Sequence, residues 1–177
     1  IFGVGYRGGF GHPATTLPAE GECFAPCAAA AMYRASVFKA LGGFDERFFC
    51  YGEDVDLGFR LRLAGGRAVQ VANAVVLHEG SGVTGRHSDF TIYHGHRNRI
   101  WLWWKNMPLP LLAVSAPLNL MLTIYLFARF LFAGGAVAYA RGIRDAIAGL
   151  GAFSADRRAL QASRRASIGA IARMMGW

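Results

Sequence analysis

The residues whose types suit chemistry are crowded into one short stretch. Between Gly42 and Asp56, GGFDERFFCYGEDVD, stand Asp45, Glu46, Glu53, Asp54 and Asp56, while the whole 177-residue chain holds only 11 Asp and Glu. The formal net charge is +8, so this acid is gathered in a basic surround. Carboxylates placed that way suit a site that handles a metal ion or a proton better than a solvated face. His78 closes the apolar segment AVVLH just before EGSG and adds an imidazole.

The elements that would hold these residues read as follows. Ile1 to Glu22, rich in Gly with Pro13 and Pro18, is expected to be mostly loop. Cys23 to Tyr33, CFAPCAAAAMY, suits a buried strand or a tightly packed turn. Arg34 to Leu41 reads as a short helix stopped by Gly42 and Gly43. In Glu53 to Ala64 the apolar residues Val55, Leu57, Phe59, Leu61 and Leu63 alternate, which taken alone argues strand. Acidic residues at the start, an Asp56–Arg60 pair at i,i+4 and the Gly65–Gly66 stop favour a helix instead. That pair is expected at the surface. Arg67 to His78 suits one or two short strands leading to the Gly80, Ser81, Gly82 loop. Asp89 to Asn106 reads as a helix with basic and aromatic faces.

These elements resemble the second half of a family 2 glycosyltransferase of the bacterial rhamnosyltransferase-like kind. GGFDERFFCYGEDVDLGFRLRLAGG, then AVVLHEGSG, HRNRI and WKNMP, carry the likeness in that order. It implies an α/β chain: the C-terminal, acceptor-side part of a GT-A nucleotide-sugar transferase fold, followed by membrane-associated helices. In that family the Asp of the ED pair takes the proton from the acceptor hydroxyl, a role that falls on Asp54. Glu53 would bind acceptor or orient the loop, Arg97 would meet phosphate or a lipid head group, and Asn98 would contact substrate or hold the loop. His78 would be the metal ligand from this half, for Mn²⁺ or Mg²⁺. Asp54-Val55-Asp56 also spells D-x-D, but the resemblance places the metal-binding D-x-D well upstream, before Ile1. The chain is therefore expected to be an excised C-terminal piece, inactive alone, whose donor-binding half lies upstream. A non-catalytic anchoring or assembly module derived from the fold is the alternative.

Composition points to lipid. The chain is 54% hydrophobic with a mean hydropathy of +0.28, high for a soluble domain of this size. From Asn106 to Ala140 the sole charge is Arg129. The run is too long for one span of roughly 20 residues and too short for two with a turn. Arg97, Arg99 and Lys105 precede it and Arg141, Arg144, Arg157 and Arg158 follow, so an in-plane or re-entrant path keeps both basic flanks on the cytoplasmic side. Pro110 and Pro117 are expected to break it, and Trp101, Trp103 and Trp104 to form an interfacial belt. Without a recognition motif or a second basic segment, those aromatics do not indicate nucleic acid. Three cysteines in a C-x-x-x-C pattern plus one suggest reduced thiols. The expected division is 1–106 acceptor-side domain, 107–140 apolar membrane-associated segment and 141–177 Arg-rich tail, at the cytoplasmic face of a bacterial inner membrane. A nucleotide-sugar donor, a glycan or polyprenyl-linked acceptor and membrane lipid are the expected partners.

Overall fold

A computed structural model describes residues 20–78, 85 and 88–176. The expected loops over residues 1–19 and at Gly80 to Gly82 lie outside the described residues. The elements are β1 (Gly21–Cys23), α1 (Ala35–Ala40), α2 (Glu53–Leu63), β2 (Ala68–Gln70), α3 (Asp89–Asn106), α4 (Leu109–Ala133), α5 (Ala136–Gly149), α6 (Ser154–Ala162) and α7 (Ile168–Met174), with short 3₁₀ turns at Ala28–Ala30, Glu46–Phe48 and Leu150–Phe153. Among the described residues the sheet is one antiparallel ribbon, with Gly21 opposite Gln70 and Cys23 opposite Ala68. Of the two readings of Cys23 to Tyr33, buried strand or turn, the chain takes a turn once β1 ends at Cys23. Ala28, Ala29 and Ala30 are exposed in a 3₁₀ turn, and beyond Gln70 the chain to His78 is exposed without regular structure.

The short helix before Gly42 forms as expected, and so does α2. The strand-like alternation in α2 has a physical origin. Leu57, Phe59, Leu61 and Leu63 are buried, but so are Asp56, Gly58, Arg60 and Arg62 between them, so the helix is enclosed on all sides and shows no polar stripe. Gly58 is needed there, because a Cβ would stand 2.3 Å from the Ala25 methyl.

The main core gathers Phe48, Phe59 and Leu63 with Trp101, Leu102, Met107, Leu111 and Leu112, closed by Ala146, Phe153 and Ile171 from the C-terminal helices. α5 reaches α3 through small residues: a Cβ on Gly142 would lie 2.8 Å from the Tyr93 carbonyl, and one on Gly149 2.8 Å from the Trp101 ring. Residues 136–174 thus fold back onto α3 rather than trailing as a loose tail. Arg157 donates to the Met107 carbonyl at 2.7 Å.

Three expectations about charge and aromatics are corrected. Trp101 is buried, its Nε1 donating to the Ala146 carbonyl at 2.9 Å, and Trp103 Nε1 donates to Ser115 Oγ at 2.8 Å, so these rings are core rather than belt. Lys105 and Arg99 do not flank a membrane as free cations. Lys105 bonds Asp45 and Asp56, while Arg99 donates to Asn119 Oδ1 and Thr123 Oγ1 on α4. Asp56 does pair with Arg60 at 2.8 Å, yet its carboxylate is fully buried rather than at the surface.

Neither proline divides α4. Pro110 sits in the first turn, where its missing N–H is harmless, and Pro117 lies on the exposed face of one continuous helix. α4 is long and apolar enough to cross a membrane, by length and composition. One side of it, Leu112, Ser115 and Asn119 through Phe130, is buried against the protein, while Val114, Leu120, Met121, Ile124, Leu131 and Phe132 are exposed.

The buried cluster sets a stability test. Lys105→Met would leave Asp56 enclosed without its ammonium partner, and losing one member of a buried pair costs about 3–5 kcal/mol. Urea unfolding followed by circular dichroism should read a loss of that size. A cost under about 1 kcal/mol would mean that the cluster does not hold α2 on α3.

Candidate functional site

The ED pair opens α2 directly after a strained loop. Phe49 (φ 62) and Tyr51 (φ 72) adopt left-handed backbone that non-glycine residues rarely take, and Gly52 (φ 89) completes the turn as N-cap of α2. Backbone of this kind persists only where its surroundings over-determine it. Here Asn98 does so. Its Nδ2 lies 2.8 Å from the carbonyl oxygens of Phe48, Cys50 and Tyr51, and the side chain is buried in α3. The side chain is turned to the loop rather than to open space. Arg97 reinforces the same edge: its Nη2 donates to the Phe48 carbonyl at 3.1 Å, its Nε donates to Asn98 Oδ1 at 2.9 Å, and its guanidinium stands 4.2 Å from the Trp101 ring centre.

At the start of α2, Asp54 is partly exposed. Its Oδ2 accepts from the Ala28 amide at 3.1 Å and its Oδ1 from the Val55 amide at 2.8 Å. These contacts aim the carboxylate at the 3₁₀ turn Ala28–Ala30. Glu53 beside it is half-buried, and its Oε2 has no hydrogen-bond partner among the described residues. Burial pushes the Glu53 carboxyl above its usual range, and the neighbouring Asp54 charge adds to the rise. Three acidic side chains in the first turn, Glu53, Asp54 and Asp56, also suit the positive end of the helix dipole.

The structure adds a residue that the sequence reading passed over. Tyr33 has its hydroxyl buried without a partner among the described residues, and its phenol is pushed up by burial and then by the charge of Asp54. The only signal for it was its position at the end of the small-residue run. Glu53, Asp54, Tyr33, Asn98 and Arg97 are thus grouped around one loop and one helix start. His78 is not brought into that group: it is exposed, and among the described residues no cluster of His, Cys, Asp and Glu suits a metal ion.

Asp56 is two residues from Asp54 but serves otherwise. Both of its oxygens are 2.9 Å from Lys105 Nζ, Arg60 Nε donates at 2.8 Å, and Asn106 Nδ2 donates to Oδ1 at 2.7 Å. With its lone pairs occupied inside the protein, it is not an open ligand for a cation. The D-x-D spelling is therefore divided into one accessible carboxylate and one structural carboxylate.

A family model described as glycosyltransferase-like family 2 matches residues 14–101, the span that contains the loop, the ED pair and most of α3. The match places residues 14–101, just under half of the chain, in that family. Curated relatives agree. Over 81 residues it is 43% identical to N-acetylglucosaminyl-diphospho-decaprenol L-rhamnosyltransferase from two strains of Mycobacterium tuberculosis, covering 42% of this chain and 26% of the relative. Over 91 residues it is 40% identical to the O-antigen biosynthesis protein RfbC of Myxococcus xanthus, covering 44% of this chain and 7% of that protein. The chain therefore matches about a quarter or less of these relatives' length. No solved structure matches it. A family 2 domain fits a GT-A fold, and the described residues give a mostly helical portion with one long apolar helix.

The stapled loop generates a test. Asn98→Ala removes the contacts to three carbonyls while leaving the remaining helix intact, so amide hydrogen exchange over residues 48–52 should quicken by about tenfold or more, with little change over α5. Unchanged exchange in the loop would show that Phe48 packing alone holds it.

Proposed function

We propose that this chain is the acceptor-side, base-bearing part of an inverting glycosyltransferase. The sugar would pass from a nucleotide diphosphate to a polyprenyl-linked or other cell-envelope glycan acceptor at the cytoplasmic face of a bacterial inner membrane. The observation that carries this reading is Asp54: a partly exposed carboxylate, aimed by the Ala28 amide at the opening of α2, inside the segment shared with family 2 relatives. L-rhamnose is the first donor sugar to test, because the mycobacterial relatives are named for its transfer.

In this mechanism the acceptor hydroxyl oxygen attacks the anomeric carbon from the face opposite the diphosphate. The bond from that carbon to the diphosphate oxygen breaks, and the hydroxyl proton passes to Asp54. A carboxylate is basic enough because the hydroxyl becomes acidic only as the new bond forms. Glu53, held toward its neutral form by burial, donates or accepts a hydrogen bond to the acceptor. Tyr33, whose hydroxyl has no partner among the described residues and which feels the Asp54 charge, is assigned the same role. We assign Asn98 as a positioning residue for the loop, and Arg97 as a second positioning residue whose remaining N–H groups can meet phosphate.

Family 2 members generally use a divalent cation, which when bound offsets charge on the departing diphosphate. The described residues contribute at most His78 toward it, so no step here depends on its geometry. The metal-binding carboxylates and the nucleotide pocket are assigned to an upstream half. Lipid contact is assigned to the exposed apolar side of α4, lying in the membrane plane with its polar side kept on the protein.

Two measurements test this reading. In the full-length protein, Asp54→Asn should lower kcat by about 10²-fold or more with donor affinity nearly unchanged, whereas His78→Ala should weaken donor binding and cation dependence together. Full activity of Asp54→Asn would remove the base assignment. For the membrane, cysteines placed at Leu109 and Phe132 in a cysteine-free protein should react from the same side of sealed vesicles. Opposite-side labelling would establish that α4 spans.

A further inference from the structure

Between the first turns of α3 and α5 lies a cleft of about 220 Å³, lined by Asp89, Phe90, Tyr93, His94, Val137 and Arg141. It adjoins the strained loop that carries the ED pair. The Phe49 ring is 5.4 Å from His94 and 6.4 Å from Phe90, and the Tyr51 ring is 6.4 Å from Phe90. Phe90, His94, Asn98 and Leu102 follow one another at i,i+4 along one face of α3, with the Asn98-stapled loop lying against it. A Cβ on Gly52, the N-cap of α2, would meet Leu102 and Asn98. His94 is one turn, about 6 Å, along α3 from Asn98, so the cleft and Asp54 stand at two ends of one short platform.

We propose that this cleft receives the phosphate end of a polyprenyl-linked acceptor, a reading that rests on the transfer activity proposed above. Charge supports an anion. Arg141 is exposed and has no ion pair among the described residues, and its guanidinium stands 6.0 Å from the Tyr93 ring centre while that of Arg97 stands 5.3 Å from the same ring. Asp89 opposes them with a single negative charge. Asp145, on the same helix as Arg141 and within its electrostatic reach, adds a second negative charge, which Tyr93 Oη at 2.8 Å and Arg144 also engage. His94 has a buried Nδ1 without a partner among the described residues, which leaves it able to hydrogen-bond a ligand, and burial, then Arg97, lowers its pKa in the empty cleft.

Size and surroundings select a lipid rather than free phosphate. The volume admits a phosphate or diphosphate with the first carbons of a chain, not a whole polyprenol. The Phe90 and Val137 walls are apolar, and Val137 follows the Gly134–Gly135 turn from the end of α4, where Leu131 and Phe132 are exposed. An isoprenoid leaving the cleft therefore meets apolar surface at once. An acceptor held this way has its phosphate fixed by Arg141 while its sugar hydroxyl extends along α3 toward Asp54.

The test uses the full-length protein and phosphatidylcholine vesicles carrying either a polyprenyl phosphate or the same molar charge of phosphatidylglycerol. Arg141→Gln should lower binding to the polyprenyl phosphate vesicles by about tenfold, as expected for one charge-assisted contact, while changing binding to phosphatidylglycerol no more than Arg165→Gln does. Val137→Trp, which fills the cleft without changing charge, should produce the same selective loss in a protein with an unchanged melting temperature. Equal losses from Arg141→Gln and Arg165→Gln on both vesicles would reduce the site to a general basic surface and overturn the proposal. So would competition by inorganic phosphate as strong as that by the polyprenyl phosphate. Sugar transfer separates the two readings: a fully active Arg141→Gln beside an inactive Asp54→Asn dismisses the cleft and leaves the base in place, whereas an active Asp54→Asn removes the activity reading itself.

Discussion

The arrangement depends on a carboxylate that never meets solvent. Asp56 brings together Arg60 of its own helix, Lys105 and Asn106 from the far end of α3, and through Lys105 the Asp45 of the preceding turn. Taking these groups out of water is costly, and an apolar replacement of the same volume is often no less stable. What the cluster supplies is register. Hydrophobic contacts between α2 and α3 tolerate sliding, whereas a carboxylate with three fixed donors does not. The first turn of α2, and Asp54 with it, is therefore set relative to α3.

The second constraint is the loop between Phe48 and Gly52. Left-handed backbone at Phe49 and Tyr51 costs on the order of 1–3 kcal/mol each, and the opposing terms are the burial of Phe48 and the Asn98 contacts. Asp45 works at the other end of the same turn. Burial alone would raise its carboxyl, but hydrogen bonds from Arg47 and Lys105 together outweigh that and hold it well below the usual carboxylate range. Its folded pKa is depressed, so the stability it lends is complete above the ordinary value near 4 and is lost as pH falls below it. At neutral pH both ends of the turn are fastened, and the ED pair is presented from a rigid edge.

How far this could be read from the sequence varies with the physics involved. α1, α2 and α3 were legible because glycine stops, an acidic first turn and an i,i+4 pair are local signals. The ED pair was legible because its neighbours in sequence, GGFDE and the aromatic turn, form a family pattern. The fate of the charges was not. Lys105, Arg99 and Asp56 look like surface residues by type, and only tertiary partners turn them inward: Asp45 for Lys105, Asn119 for Arg99, and Lys105 with Asn106 for Asp56. The tryptophans were misplaced for the same reason: an aromatic run before an apolar helix reads as a belt unless α5 is known to fold back, and the small residues Gly142 and Gly149 that allow the return carry no periodic signal. Tyr33 was invisible because nothing near it in sequence is acidic; Asp54 reaches it only through the fold.

α4 shows why burial has to be read before hydropathy. By composition it is a span, yet its Asn119 and Thr123 hold Arg99 of α3, and Thr123 also offers its carbonyl to Tyr139 Oη at 3.0 Å. A helix alone in lipid would have to carry the polar Asn119 and Thr123 side chains into hydrocarbon without the partners they have here. Kept on the protein, the polar side is satisfied and only the apolar side is left unpartnered. Arg129, near the end of the helix, can extend its guanidinium toward head groups while its stem stays on the apolar surface. In the in-plane placement proposed above, the α4–α5 turn would lie at the depth where an isoprenoid chain and its phosphate part company, which is where an enzyme acting on a lipid-linked sugar would hold its substrate.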